Sequence, residues 1–423
     1  MKKLSIFIGL VLIASFFFPL SSKAIPAFAK KYGFNCNMCH TGYTKLNDFG
    51  QRFRDNGYQI PGQEGGEKTI FETAPPIALR TTTGITAYNI KTESLSRSTT
   101  GFNLFGLDLL AAGVMHKNIS FLMIYTPRID IPTADYRGSS DTSMPAQLAS
   151  LESASLVFSN LIQDAVNIRV GRFEPAYHPF SSKRNYYIFE PYEVYTFPTP
   201  NNSFNFDDNQ IGIEATGHLR SGFKYGLGVV NGNGGSPDLN TSKDFYVNLS
   251  QTFDKGDGQS AGQRIGAFGY FGWQPLTLPG NVISPTGETN GADNKPFYRA
   301  GVNGSFNYEM FNLGVLVMKG VDDKSLNNLD PTKKYEYTGG FAQLDWAGLM
   351  NNRLVASLMY NWVQPPSYDS DKQINAFSAL MRYYLGDWSA VNIAIHAEYT
   401  FKRTGKDHPI DENLFALILD FDF

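Results

Sequence analysis

The chain has 423 residues, a formal net charge of −3 at pH 7, 18% charged residues and 14% aromatic ones. With 40 glycines, 33 phenylalanines and 23 tyrosines, so little charge points to many strands and turns with partly apolar outer faces. The near-neutral balance leaves no basic footprint, so nucleic acid is excluded as an expected partner.

At the N-terminus Lys2 and Lys3 precede an apolar stretch from Leu4 to Leu20, and Ser22 and Ala24 supply the small residues that a signal peptidase reads. Residues 1–24 are expected to be a secretory signal, with Ile25 as the mature start; a single membrane anchor is the competing reading. Beyond it no apolar run is long enough for a spanning helix. The remaining destinations are the periplasm, the medium, or an outer-membrane barrel.

The two cysteines of the chain fall together in Cys36-Asn37-Met38-Cys39-His40, the C-x-x-C-H pattern of c-type haem attachment. Two thiols add to the two vinyl groups of haem, and the adjacent imidazole is then held beneath the porphyrin, where it can bind the iron. A structural zinc site wants four ligands and a thioredoxin-like pair wants a βαβ context; neither is present. One covalent haem c is therefore expected on Cys36 and Cys39, with His40 as the proximal ligand.

The flanks read as a small haem fold. Thr44 is placed to cap a short helix from Lys45 to about Asn56, with Leu46, Phe49 and Phe53 on one face and Gly57 as its stop. Phe28, Tyr32 and Phe34 are available to cover the other haem face. Residues 25–76, roughly fifty in number, bury too little surface to be stable alone. The haem segment is expected to lodge within the rest of the chain, and a sixth iron ligand, if protein supplies one, must come from there.

From Ile77 to Phe423 the sequence alternates in short segments broken by Gly, Asn, Asp and Pro. Strands are expected to begin near Ile77, Gly101, Asn118, Ser150, Ala165, Asp208, Phe223, Asp244, Gln263, Phe297, Phe311, Tyr335, Arg353, Gln373, Ala390 and Asn413. About sixteen strands of ten or so residues make an all-β transmembrane barrel. In the last, Phe415, Leu417, Leu419, Phe421 and Phe423 share one face, and Asp420 and Asp422 the other. Connections alternate long and short. Long ones cover residues 92–100, 130–149, 174–207, 231–243, 274–296, 322–334, 364–372 and 403–412, which puts both chain ends on the periplasmic side. The longest, Glu174 to Asp207, is the third outer loop. It is expected to be mainly solvent-exposed, although third loops of trimeric porins fold inward.

Strand parity nominates sixth ligands: His396, with Asn392, Glu398 and Lys402, faces the lumen opposite Val391, Ile393, Ile395, Ala397 and Tyr399. Met318 and Met359 face inward by the same test, and His178 is able to reach in from the third loop. Glu174, Glu190, Glu193, Asp207 and Asp208 are oxygen donors of the type an iron ion would use at an outer mouth.

The run Ile25-Pro26-Ala27-Phe28-Ala29-Lys30-Lys31-Tyr32-Gly33, then Cys36 to His40, then Leu46, Phe49-Gly50, Phe53 and Gly57-Tyr58 resembles the N-terminus of the fused monohaem cytochrome–porin iron oxidases. Where that family has Gln-Thr-Gly the chain has Lys31-Tyr32-Gly33, and Lys45 stands where the family has Pro. The resemblance implies a haem segment joined to a sixteen-stranded barrel in the outer membrane. It also implies extracellular ferrous iron as electron donor and a periplasmic carrier, such as a soluble cytochrome c, as acceptor. The activity would be that of an iron:cytochrome c oxidoreductase. An outward electron conduit and a plain diffusion porin are the alternatives.

Overall fold

The computed structural model describes residues 27–34, 38–42, 44–66, 68–72, 77–127, 129–132, 145–147, 150–189, 191–235, 238, 240–253, 262–278, 282–283, 294–385 and 392–422. The expected signal segment, Cys36 and Glu190 lie outside them.

Sixteen antiparallel strands close into a ring. In chain order they are β1 (Ile77–Lys91), β2 (Ser96–His116), β3 (Ile119–Thr126), β4 (Ser150–Phe158), β5 (Asn167–Phe173), β6 (Gln210–His218), β7 (Phe223–Val230) and β8 (Asp244–Thr252). They continue as β9 (Arg264–Pro275), β10 (Asn294–Tyr308), β11 (Phe311–Asp322), β12 (Tyr335–Gly348), β13 (Leu354–Gln364), β14 (Ile374–Tyr384), β15 (Asn392–Thr404) and β16 (Ile410–Asp422). Neighbours in sequence are neighbours in the sheet, and β16 pairs with β1, from Asp422 opposite Arg80 to Asp411 opposite Lys91. Closure leaves no edge strand and satisfies the backbone in lipid. Among the described residues no helix is long and apolar enough to cross a membrane.

The expected strand starts agree closely with these, the widest gap being Gly101 against Ser96. That gap is also a correction: the first outer connection is the tight turn Thr92–Leu95, closed by Thr92 N donating to Leu95 O at 2.8 Å, and residues 96–100 already belong to β2.

Alternation sets the two faces, as a period of two requires. In β14 Ser378, Leu380, Arg382 and Tyr384 are buried inward while Phe377 and Met381 are exposed. In β15 His396 and Glu398 are buried and Ile395 and Tyr399 exposed, and in β16 Phe415, Leu417 and Leu419 are exposed while Asp420 is buried. The outer face carries aromatics near both ends. Phe311 stacks on Trp346 at the short-turn end; at the long-loop end Phe271 meets Trp273 edge-on and Tyr360 stacks on Trp362. Val302, Val317, Leu344 and Leu358 are exposed between them. This is an apolar band with aromatic girdles.

Two segments enter the lumen. The first is the N-terminal plug. It consists of α1 (Ala27–Tyr32), a short hairpin pairing His40–Gly42 with Lys45–Leu46, and α2 (Asp48–Asp55). The cap of α2 differs from expectation. Asn47 is the N-cap, its side chain accepting from Gly50 N at 2.8 Å, while Thr44 donates to the Asn185 carbonyl at 2.6 Å. Lys45 and Leu46 cannot start the helix because they pair with the haem-motif strand. Gly57 ends the segment at φ +67°, the left-handed stop expected of glycine.

The second is the connection from β5 to β6, residues 174–209. It is not an exposed loop: Tyr177, Tyr186, Tyr187, Tyr192, Val194 and Tyr195 are all buried. The loop crosses to the far wall, where Tyr192 stacks on Phe341 of β12 at 4.0 Å, Tyr187 donates to the Ser378 carbonyl and Asn361 donates to the Pro191 carbonyl. So much aromatic surface has nowhere to go in water, and the hollow of the ring is the nearest place to bury it.

Candidate functional site

The plug is fastened to the ring near its short-turn end by charges. The Asp55 carboxylate lies 2.8 Å from His218 Nε2, 3.2 Å from Lys224 Nζ and 3.5 Å from Arg169 Nη2. Burial alone would raise its pKa, but Lys224, His218 and Arg54 hold it well below the usual carboxylate range. Arg54 reaches Glu174 at 3.1 Å, and Arg184 pairs with the same carboxylate. Lys45 bonds Asn312 at 2.7 Å and pairs with Asp345. Gln59 donates to Ser159 at 3.2 Å beside a periplasmic-type turn.

Inside the plug the haem-motif turn is packed flush on α2. Cys39 O accepts from Asn47 N at 2.9 Å, Met38 O accepts from Asn47 Nδ2 at 3.0 Å, and a Cβ on Gly50 would stand 2.1 Å from Cys39 O. The expected packing residues gather there. Phe28 stacks on Tyr58 at 4.6 Å and meets Phe53 edge-on at 5.4 Å; Tyr32 stacks on Phe34 at 5.5 Å; Phe49 stacks on Phe53 at 6.2 Å.

Between plug, loop and the wall of β1–β5 lies a cavity of about 510 Å³, within the size range of cofactor pockets. Cys39, His40, Phe28, Phe34, Leu46 and Phe53 line its plug side. Burial pushes the His40 imidazole down to about 4, so at neutral pH it is the uncharged form that binds metal. Burial pushes the Cys39 thiol up to about 11. A covalent haem c needs two thiols and the next imidazole facing one roomy, largely apolar space; of these, Cys39 and His40 line such a space. Cys36, the other thiol of the motif, is outside the described residues.

The remaining sequence candidates do not gather at this cavity. His396 faces inward as parity indicates, but its Nε2 lies 2.9 Å from Glu398 and it is off the cavity wall, as are Met318 and Met359 in the inward aromatic core. His178 sits in the loop, against Tyr177 and the Phe206 carbonyl. Glu193 is buried and paired with Lys402 at 2.7 Å. Glu174 is the anchor for Arg54 and Arg184 rather than a mouth residue; burial would raise its pKa, but those two arginines hold it far below the carboxylate range. Asp207, pushed up to about 6 by burial, accepts from Ser182 at 2.5 Å; burial also raises Asp208. Among the described residues no three metal-type side chains cluster. Sequence reading missed Asp55, Arg169, His218 and Lys224, since charges of opposite sign on segments so far apart carry no local signal.

A sixteen-stranded closed ring with girdles and an inward third loop decides the class of fold. The chain is a porin-fold outer-membrane barrel. The anion-selective porin from Comamonas acidovorans matches with a TM-score of 0.54 at 11% identity, covering 82% of this chain and 100% of that one. The outer-membrane channel DcaP of Acinetobacter baumannii matches with a TM-score of 0.52 at 10% identity, covering 82% of this chain and 97% of that one. OprB of Pseudomonas putida matches with a TM-score of 0.52 at 11% identity, covering 84% of this chain and 95% of that one. No protein-family model matches the chain, and no curated protein does. The apolar outward band between its aromatic girdles is the surface that faces lipid in such a fold. At these identities the likeness is one of fold alone.

Proposed function

We propose that the barrel carries one covalent haem c in its lumen, on Cys36, Cys39 and His40, and transfers electrons across the outer membrane. The supporting observation is that Cys39 and His40 both line a large cavity bordered by plug, loop and wall. When bound, the haem supplies a one-electron redox centre. His40 offers it a neutral ring nitrogen, and Phe28, Phe34, Leu46 and Phe53 give it a dry bed; burial and axial ligation tune such a centre. The hydrocarbon layer is about 30 Å thick, so a centre held within it divides one long electron transfer into two shorter ones.

Ferrous iron at the long-loop mouth is the proposed donor, and a periplasmic carrier such as a soluble cytochrome c the acceptor. The chain would then act as an iron:cytochrome c oxidoreductase. Iron needs oxygen ligands. Asp207 and Asp208, ahead of β6, are the loop carboxylates, among the described residues, not tied up in close ion pairs with the plug or Lys402. The test is the visible spectrum of the purified protein before and after ferrous iron is added. Reduction of a haem band supports the reading, and a colourless protein sinks it. Reduction that survives Asp207→Asn with Asp208→Asn removes those two residues from it.

A second reading, a diffusion channel, is favoured by the likeness to an anion-selective porin. Conductance in planar bilayers separates the two, because a lumen filled by plug and loop should pass little current.

A further inference from the structure

The cavity wall shared with His40 has a composition that bears on the iron's opposite side. Among the described residues that line it, there is no histidine besides His40 and no methionine. Its barrel side mixes apolar residues such as Phe105, Leu110, Leu122 and Val157 with the charged Arg80, Asp108, Glu152 and Arg169. The barrel-wall carboxylates on the lining are engaged, Asp108 accepting from Thr126 at 2.7 Å and Glu152 paired with Lys183, and so are two loop side chains with ligating atoms. Lys183 Nζ is 2.6 Å from Asn209 Oδ1 and 3.2 Å from Glu152, and the Tyr187 hydroxyl donates to the Ser378 carbonyl at 3.2 Å. His396 and His178 each have an Nδ1 without a hydrogen-bond partner, but neither side chain is on this wall.

Resting on the haem reading above, we infer that His40 is the single protein ligand of the iron, and that the sixth position stays open to a small exogenous ligand. Carbon monoxide on the ferrous form and cyanide on the ferric form are the probes of that class. Tightly packed walls would forbid such a ligand, whereas the haem-motif residues Cys39 and His40 face a cavity rather than a packed wall. A haem ligated this way is sensitive to small molecules that a doubly ligated electron carrier ignores.

The experiment uses the full-length protein as purified, with haem content fixed first by a pyridine haemochrome assay. The ferric form is expected to be high-spin by electron paramagnetic resonance. The dithionite-reduced form should bind carbon monoxide one to one, with a shifted Soret band. His396→Ala, His178→Ala, Met318→Leu and Met359→Leu should leave both signals unchanged. A haem-bearing protein that is low-spin and indifferent to carbon monoxide overturns this inference alone. A protein without haemochrome overturns the haem reading and this inference with it.

Discussion

At the scale of single residues, Gly50 and Asp55 matter most and work differently. Gly50 is required by space: α2 approaches the haem turn so closely that a methyl group would overlap the Cys39 carbonyl. Gly50→Ala should cost the plug about 1–3 kcal/mol as overpacking and, on the proposed haem reading, lower the haem-to-protein ratio. The barrel itself, followed by its heat-modifiable mobility on gels, should be unaffected. Asp55 is required by charge. Asp55→Asn leaves Lys224 and His218 without their shared carboxylate, while Arg169 keeps Glu214 at 3.1 Å; the loss is about 3–5 kcal/mol, which should expose the plug to protease added after folding. The pH dependence has one sign. A carboxyl whose folded pKa is depressed stabilises at every pH above its free value of about 3.9 and loses that contribution as pH falls through the folded pKa. Protease resistance of the plug should therefore hold at neutral and mildly acid pH and fail only below about pH 3.9.

At the scale of elements, the third loop is a core in its own right. Tyr192 lies flat on Phe341, donates to Gln343 at 3.1 Å and is buried. Tyr192→Ala should cost loop docking about 3–5 kcal/mol, as large buried aromatics do, and open a cleavage site between Ser181 and Asp207 that mass spectrometry of the digest would locate. This loop shows where sequence reading stops. The strands were legible because lipid imposes a period of two along each: Phe415, Leu417 and Leu419 could be assigned a face without knowledge of any neighbour. The loop has no period, and its tyrosines read as surface residues until Phe341, Gln343 and Ser378 are known to stand opposite. The same holds for the site. The C-x-x-C-H run is local, so Cys39 and His40 could be found directly. The place of His396 beside Glu398 depends on a loop whose Ile188 and Phe189 amides hold that carboxylate, and parity is blind to it. The cap of α2 went to Asn47 rather than Thr44 because strand pairing at His40 outweighed a local capping preference.

At the scale of the whole molecule, the ring is turned inside out relative to a soluble protein. Its inward face is a packed core of aromatics and ion pairs, and its outward face is an apolar band. Val302 lies at the middle of β10 facing outward and is 60% exposed. Val302→Arg should therefore cost about 2–4 kcal/mol in lipid, read as a shift in the urea midpoint of folding into vesicles. The same substitution at a water-facing position of a soluble strand would be nearly silent.

The depth at which Cys39 is sunk has a consequence for biogenesis. Burial pushes this thiol up to about 11, which makes it less reactive in the packed plug than on an exposed chain. The seam between β1 and β16 also joins the first barrel strand to the last, so the ring shuts only once the last strand has arrived. On the proposed haem reading, the porphyrin would be joined to the N-terminal segment before the cylinder is built around it.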